Sequence, residues 1–188
     1  LLYTRKLKLQ QNWLEKLRLY METRSIARWE RSLSRTFDLI ITNSPVDEKF
    51  IKRLDPTANT LTIGNGVDTD FFRPLGAAPV STKLVFTGVM DYGPNEDAAV
   101  FFCNEIFPLI RKEDPAAHFE IVGKGPSPMV SALAARPGVT VVGEVPDIRP
   151  YIDRAGIIVC PLTWGAGLKN KVVAALPIVK AVVATHRG

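Results

Sequence analysis

Apolar residues recur along this chain in two rhythms. In residues 8 to 35 they fall at Trp13, Leu17 and Tyr20, then at Ile26, Trp29 and Leu33, near the 3.6 period of a helix. That spacing predicts one long helix or two short ones, with an apolar face packed on a domain and basic side chains in water. Asp38-Leu-Ile-Ile-Thr42 then reads as a strand, and Asn43-Ser-Pro-Val-Asp47 as the start of a helix ending near Leu54. Thr60 to Ile63 is a second short strand. Gly64 to Asp68 is a turn, and Arg73-Pro-Leu-Gly-Ala-Ala-Pro79 has the composition of a linker.

From Lys83 the rhythm changes to short apolar runs separated by helical stretches. Strands are predicted at Leu84–Phe86, Phe119–Val122, Val139–Val142, Ile157–Cys160 and Ala181–Ala184. Between them lie helices over Asn95–Lys112, Pro128–Ala135, Asp147–Arg154 and Leu168 to about Leu176. Alternation of this kind predicts an α/β fold, a Rossmann-like parallel sheet with helices on both faces, its strands ordered 3-2-1-4-5. Ligands in such sheets sit at the carboxyl ends of the strands. Glycine-bearing loops leave the first four strands there, at Gly88, at Gly123-Lys124-Gly125, at Gly143-Glu144-Val145, and from Gly165. None has the G-x-G-x-x-G pattern of a dinucleotide site after the first strand.

With 188 residues, 46% of them hydrophobic, the chain can bury one good core and part of another. No apolar run approaches bilayer length and no signal-peptide order is present, so a cytoplasmic location is expected. Cys103 and Cys160 lack the spacing of a zinc or redox pair and are expected to be buried thiols. The net charge of +5 is unevenly placed: residues 1 to 36 carry nine Lys/Arg against three Glu, and the remainder is nearly balanced. A basic segment confined to an aromatic-bearing helix points away from nucleic acid, for which no recognition motif exists. It leaves open a peripheral contact between residues 1–36 and an anionic membrane surface.

The stretch with most chemistry is Gly165-Ala-Gly-Leu-Lys-Asn-Lys171, between a buried strand and a helix. Backbone N–H groups of Gly165, Ala166, Gly167 and Leu168 would face a phosphate, with Lys169 and Lys171 adding charge. From spacing alone, a turn whose glycines only let two backbones pass closely remains equally open.

The motifs as an ordered set are more specific. Gly64-Asn-Gly-Val-Asp-Thr-Asp-Phe-Phe72, Phe86-Thr-Gly-Val-Met-Asp-Tyr-Gly-Pro-Asn95, Ile121-Val-Gly-Lys-Gly-Pro126, Gly143-Glu-Val-Pro-Asp147 and Gly165 to Lys171 follow one another in natural spacing. In this the chain resembles group 1 (family 4-like) glycosyltransferases of the GT-B fold, and most of all the bacterial sugar transferases of exopolysaccharide clusters. The resemblance implies that residues 1–68 end an acceptor-side domain, 69–81 link, and 82–188 form most of a donor-side domain. A chain with two full domains would be about twice this long. The chain thus resembles a fragment, expected to be inactive alone.

The resemblance further implies a nucleotide-sugar donor and a polysaccharide or lipid-linked (polyprenol) acceptor, with retention of anomeric configuration. Gly88, Gly123, Lys124 and Gly125 would line the nucleotide cleft. Glu144 and Val145 would meet the base, and residues 165–168 the diphosphate. Lys169 and Lys171 would be catalytic by neutralising the leaving nucleoside diphosphate. No cofactor and no metal are expected.

Two departures stand out. Relatives carry glutamates at the positions of Ala166 and Ala174, the second on the donor ribose, so that Ala174→Glu would be expected to tighten nucleotide binding. Val179 stands where relatives often have glycine, and Pro177 should end the last helix early. Alternatives to transfer are a catalytically silent nucleotide-binding or scaffold domain and a nucleotide-sugar epimerase of the same fold. His118 and Asp147 are read as structural, Asp147 as a helix cap.

Overall fold

A computed structural model describes residues 12–164 and 170–186, with side chains omitted at 170 and 171. The described residues divide into two compact units, 12–65 and 66–164 together with 170–186.

The first unit begins with α1 (Trp13–Thr36), a single helix whose start is fixed by Asn12, its side-chain oxygen accepting from the Leu14 N–H at 3.0 Å. β1 (Ile40–Thr42) and β2 (Thr60–Thr62) pair in parallel, Ile41 opposite Leu61. Between them α2 (Pro45–Leu54) has Ser44 as its cap and Pro45 in its first turn, with Asp47 and Glu48 early and Lys52 and Arg53 late. α1 is tied to the end of α2 by Arg31, whose Nε donates to the Leu54 carbonyl at 2.9 Å. The expected packing of its apolar stripe is found only in part. No residue of α1 is buried, and Trp13 and Trp29 are 69% and 64% exposed. The face turned inward carries Leu19, Ile26, Ala27 and Leu33, so Ile26 and Leu33 of the predicted stripe are half-buried while Trp13, Leu17, Tyr20 and Trp29 stay exposed.

The second unit is a five-stranded parallel sheet of β3 (Val80–Thr87), β4 (His118–Val122), β5 (Val139–Gly143), β6 (Ala155–Cys160) and β7 (Ala181–Ala184). Their order is β5-β4-β3-β6-β7, the predicted 3-2-1-4-5. Alternate strand residues feed two cores. Leu84, Phe86, Phe119 and Ile121 face α3 (Gly93–Phe101), α4 (Phe107–Glu113) and α5 (Pro128–Ser131). Val85, Val122 and Ile158 face α6 (Arg149–Arg154) and α7 (Asn170–Ala175) with the turn after it. Phe102 and Phe107 close on Phe119 with ring centroids 4.6 and 5.7 Å away. Each such ring contributes about 1.5–3 kcal/mol by leaving water.

The helix predicted over Asn95–Lys112 is interrupted by a π-helical turn at Phe102–Ile106. Pro108 follows within the next helical turn, and without an N–H it cannot donate to the carbonyl four residues back, so the ladder shifts there. α7 stops at Ala175, before Pro177, and the chain turns through Val179 at φ +58°. Both cysteines are buried and neither is in a disulfide; desolvation pushes Cys103 up to about 11.

The 66–79 segment lies on the second unit. Phe72 packs against the core of Val85, Val122, Ile152 and Ile158, and the Ala77 N–H donates to the buried Asp153 carboxylate at 2.9 Å.

Candidate functional site

Because β3 to β6 are parallel, the loops after them gather at one end of the sheet. Three are stitched together through the main chain. Gly88 N–H donates to the Val122 carbonyl at 3.0 Å, Gly123 N–H to the Gly143 carbonyl at 2.8 Å, and Met90 N–H to the Lys124 carbonyl at 2.7 Å. The glycines are demanded by this approach. Gly123 has φ +148°, and a Cβ there would fall 1.7 Å from the Gly88 oxygen. Gly125, at φ +69°, would bring its Cβ 3.0 Å from the Asp91 carboxyl carbon. A floor of bare backbone results, underlain by Met90, which is fully buried. A flat ligand can lie against main chain here without displacing a side chain.

The surrounding side chains fix the loops. Asn95 Nδ2 donates to the Val89 carbonyl at 2.8 Å. Ser127 Oγ donates to the Glu96 carboxylate and also accepts from the Val130 N–H, so the end of the Gly123–Pro126 loop is tied to α3. Lys124 and Glu144 are exposed at the rim, and Val145 is half-buried against the second core.

The predicted site is therefore partly assembled. Gly88, Gly123, Lys124, Gly125, Glu144 and Val145 come together at the carboxyl edge. Gly165, Ala166, Gly167, Leu168 and Lys169 lie outside the described residues, and Lys171 is placed by its backbone alone in the first turn of α7. Ala174 is 8% exposed. A glutamate there would have to leave a buried position to reach a ligand. Asp147 precedes the helix by two residues; the cap position itself is Ile148. His118 Nε2 lies 3.0 Å from Thr140 Oγ1, far from this edge at the start of β4. Among the described residues no group of three His, Cys, Asp or Glu side chains is arranged to hold a metal.

Two features were missed in the sequence. Trp164, in the segment that leaves β6, donates from Nε1 to Asp97 Oδ2 at 2.7 Å and lies against Gly93, tying that segment to α3. Arg149 grips Asp147 through Nε and Nη2, at 3.0 and 2.8 Å, and donates through Nη1 to the Phe71 carbonyl at 3.1 Å. That grip holds the Asp147 carboxyl below the usual range and raises Arg149. The sequence signal was slight: an apolar Phe71-Phe72 pair in a polar linker, and an Asp-x-Arg spacing.

A parallel sheet with helices on both faces and closely packed glycine loops at its carboxyl edge is the architecture of a doubly wound α/β domain, whose ligands sit at that edge. Residues 81–188 match the family model of glycosyl transferases group 1, and the chain belongs to that family. Among solved structures it is similar to TarM, at 16% identity and TM-score 0.70 over 85% of this chain and 32% of that one. Anabaena HepE in complex with UDP and glucose gives 16% identity and TM-score 0.65, covering 86% of this chain and 48% of the other. Sucrose-phosphate synthase from Thermosynechococcus elongatus gives 18%, 0.68, 88% and 45%. These likenesses show the GT-B glycosyltransferase fold, and the chain spans between a third and a half of those proteins' length. No curated protein matches the chain in sequence. Among the described residues no helix is long and apolar enough to cross a membrane.

Proposed function

We propose that the second unit binds the nucleoside diphosphate of a nucleotide-sugar donor, in an enzyme that moves the sugar to a polysaccharide or lipid-linked acceptor. The observation that carries this reading is the backbone floor made by Gly88, Gly123 and Gly143, where a Cβ on Gly123 has no room. Solved neighbours support the donor class: HepE was crystallised with UDP-glucose, and S. aureus TarM with UDP and α-GlcNAc-glycerol. In this reading Val145 meets the base, Gly165 to Leu168 the diphosphate, and Lys169 with Lys171 neutralise the leaving group, which needs no metal ion for that step. Retention of configuration follows from the resemblance. The division 1–68, 69–81 and 82–188 would then correspond to the end of an acceptor-side domain, a connector and the donor-side domain.

A cytoplasmic enzyme resting on the inner face of the membrane is part of the same proposal. Trp13, Leu17, Tyr20 and Met21 form an exposed apolar face at the start of α1, and Arg24, Arg28 and Arg35 continue it as a basic one.

Calorimetry with UDP and GDP tests the donor site. Measurable binding by the wild type, and loss of most of it in the Lys169→Ala/Lys171→Ala variant, is the expected result. Absence of any nucleoside diphosphate binding would sink the reading. The buried alanine at position 174 favours a second reading, a nucleotide-binding domain that has lost its chemistry. Nucleotide binding without hydrolysis of UDP- or GDP-sugars would select it.

A further inference from the structure

The stretch by which the chain enters the second unit, residues 66–72, is fastened to the loop proposed to meet the nucleotide base. Asp68 begins this by folding the stretch into a turn: its Oδ1 accepts the N–H groups of Asp70 and Phe71 at 3.0 and 2.9 Å, and its carbonyl accepts Phe72 N–H at 2.8 Å. The turn presents Phe71 and Phe72 in an edge-to-face pair, centroids 5.1 Å apart. Phe72 packs, half-buried, against the same core as Val145, Ile148 and Tyr151. Phe71 stays outside and carries the Arg149 guanidinium over its ring, 3.8 Å from the centroid.

Arg149 is thereby held on three sides. Its Nε and Nη2 form the fork on Asp147, its Nη1 reaches the Phe71 carbonyl, and its backbone N–H donates to Asp147 Oδ1 at 2.9 Å. Asp147 closes the Gly143–Asp147 loop, so a single guanidinium joins the end of that loop to a turn 78 residues earlier. The planar fork matters, since an ammonium can neither chelate a carboxylate in this way nor stack on a ring to the same effect.

Resting on the donor-site reading above, we infer that Arg149 is a positioning residue for nucleotide-base recognition: with Asp147 and Phe71 it clamps the Val145 loop to the 66–72 turn. Base contact and the seating of that turn then rise and fall together. The diphosphate, met by another loop, is indifferent to the clamp.

Wild type, Arg149→Lys and Phe71→Leu are compared in two measurements. In calorimetry, UDP affinity is expected to fall about tenfold in both variants, while affinity for inorganic pyrophosphate stays within twofold. A merely structural role would weaken both ligands by the same factor, and that outcome, or unchanged UDP affinity, overturns the inference. In hydrogen exchange, amides of 66–72 and 143–147 should lose protection together while β4 and β6 keep theirs. Loosening at 147–150 alone also overturns it. A wild type that binds no UDP at all would sink the donor-site reading instead, and the exchange measurement would then decide the clamp by itself.

Discussion

The carbonyl oxygen of Gly88 stands 1.7 Å from where a Cβ on Gly123 would be. Gly123→Ala must therefore push two strand ends apart and adopt a φ of +148°, which alanine disfavours. Strain and displacement together should cost about 3 kcal/mol, or roughly 6–12 °C in melting temperature for a chain of this size. UDP binding should be lost in any fraction that remains folded. Gly64, whose Cβ would meet nothing within 4 Å, supplies the control: Gly64→Ala should leave stability within about 0.5 kcal/mol. Equal melting temperatures for the two variants would contradict the close approach.

Val179 is a β-branched residue in the left-handed region, φ +58°, and is 81% exposed, so nothing it packs against compensates the strain. Val179→Gly removes a penalty of about 1–2 kcal/mol and gives back part of it in unfolded-chain entropy. A net gain of about 0.5–1 kcal/mol is expected, visible as a rise of about 1–4 °C. Val179→Ala, which keeps a Cβ, should recover much less. A glycine variant no more stable than wild type would mean that the turn relaxes in solution.

What was legible before the structure follows from how local each cause is. β3, β4 and β6 could be read because strands buried on both faces appear as unbroken apolar runs such as Ile157–Cys160, closed by turn residues, and the more exposed edge strands β5 and β7 because their β-branched runs are bounded in the same way. Their order was read from the strand and helix alternation with glycines after successive strands, the pattern of a doubly wound sheet. The π-helical turn at Phe102–Ile106 was hidden, since one extra residue in a helical ladder barely disturbs a periodic pattern. Gly88, Gly123 and Gly143 were visible in the candidate site because glycine marks the backbone itself. The Trp164–Asp97 and Arg149–Phe71 contacts were not: they join residues 67 and 78 positions apart, and no spacing rule reaches that far. The stripe on α1 held at Ile26 and Leu33 and failed at Trp13, Leu17, Tyr20 and Trp29 for a related reason, as periodicity shows that a face exists but not which side is covered.

Acid should weaken the first unit. Glu48 accepts hydrogen bonds from Thr62, Lys52 and Thr60, which lower it to about 2, and Asp55 is lowered to about 2 by Ser34 and Thr57. Both carboxyls bind protons more readily unfolded than folded. Their support is thus complete above their ordinary values of 4.5 and 3.8 and disappears as pH falls towards about 2. Melting temperature followed by helical circular dichroism should decline across that window. In Glu48→Gln/Asp55→Asn the decline should be shallower. An identical slope in the double variant would assign the acid sensitivity to other carboxylates.

Lys83 and Glu120 form the best-buried ion pair among the described residues, Nζ to Oε1 at 2.7 Å with side chains 20% and 12% exposed. They meet across β3 and β4 on the face where Val85 is the register partner of Glu120. The pair is incomplete, because Glu120 Oε2 is buried with no hydrogen-bond partner. Desolvation of two charges with one lone oxygen sets a large cost against a single close contact. Lys83→Met would strand the carboxylate and should destabilise by about 3–5 kcal/mol. Lys83→Met/Glu120→Leu removes both charges from a sheet face already lined by Val85 and Val122, and should come out near the wild type or above it. Urea unfolding of the two single variants and the double variant closes the cycle. The expected sign is a double variant markedly more stable than Lys83→Met alone. A double variant less stable than Lys83→Met alone would show that this face loses by giving up both charges and would overturn the prediction, and simple additivity would show that the two charges are not coupled.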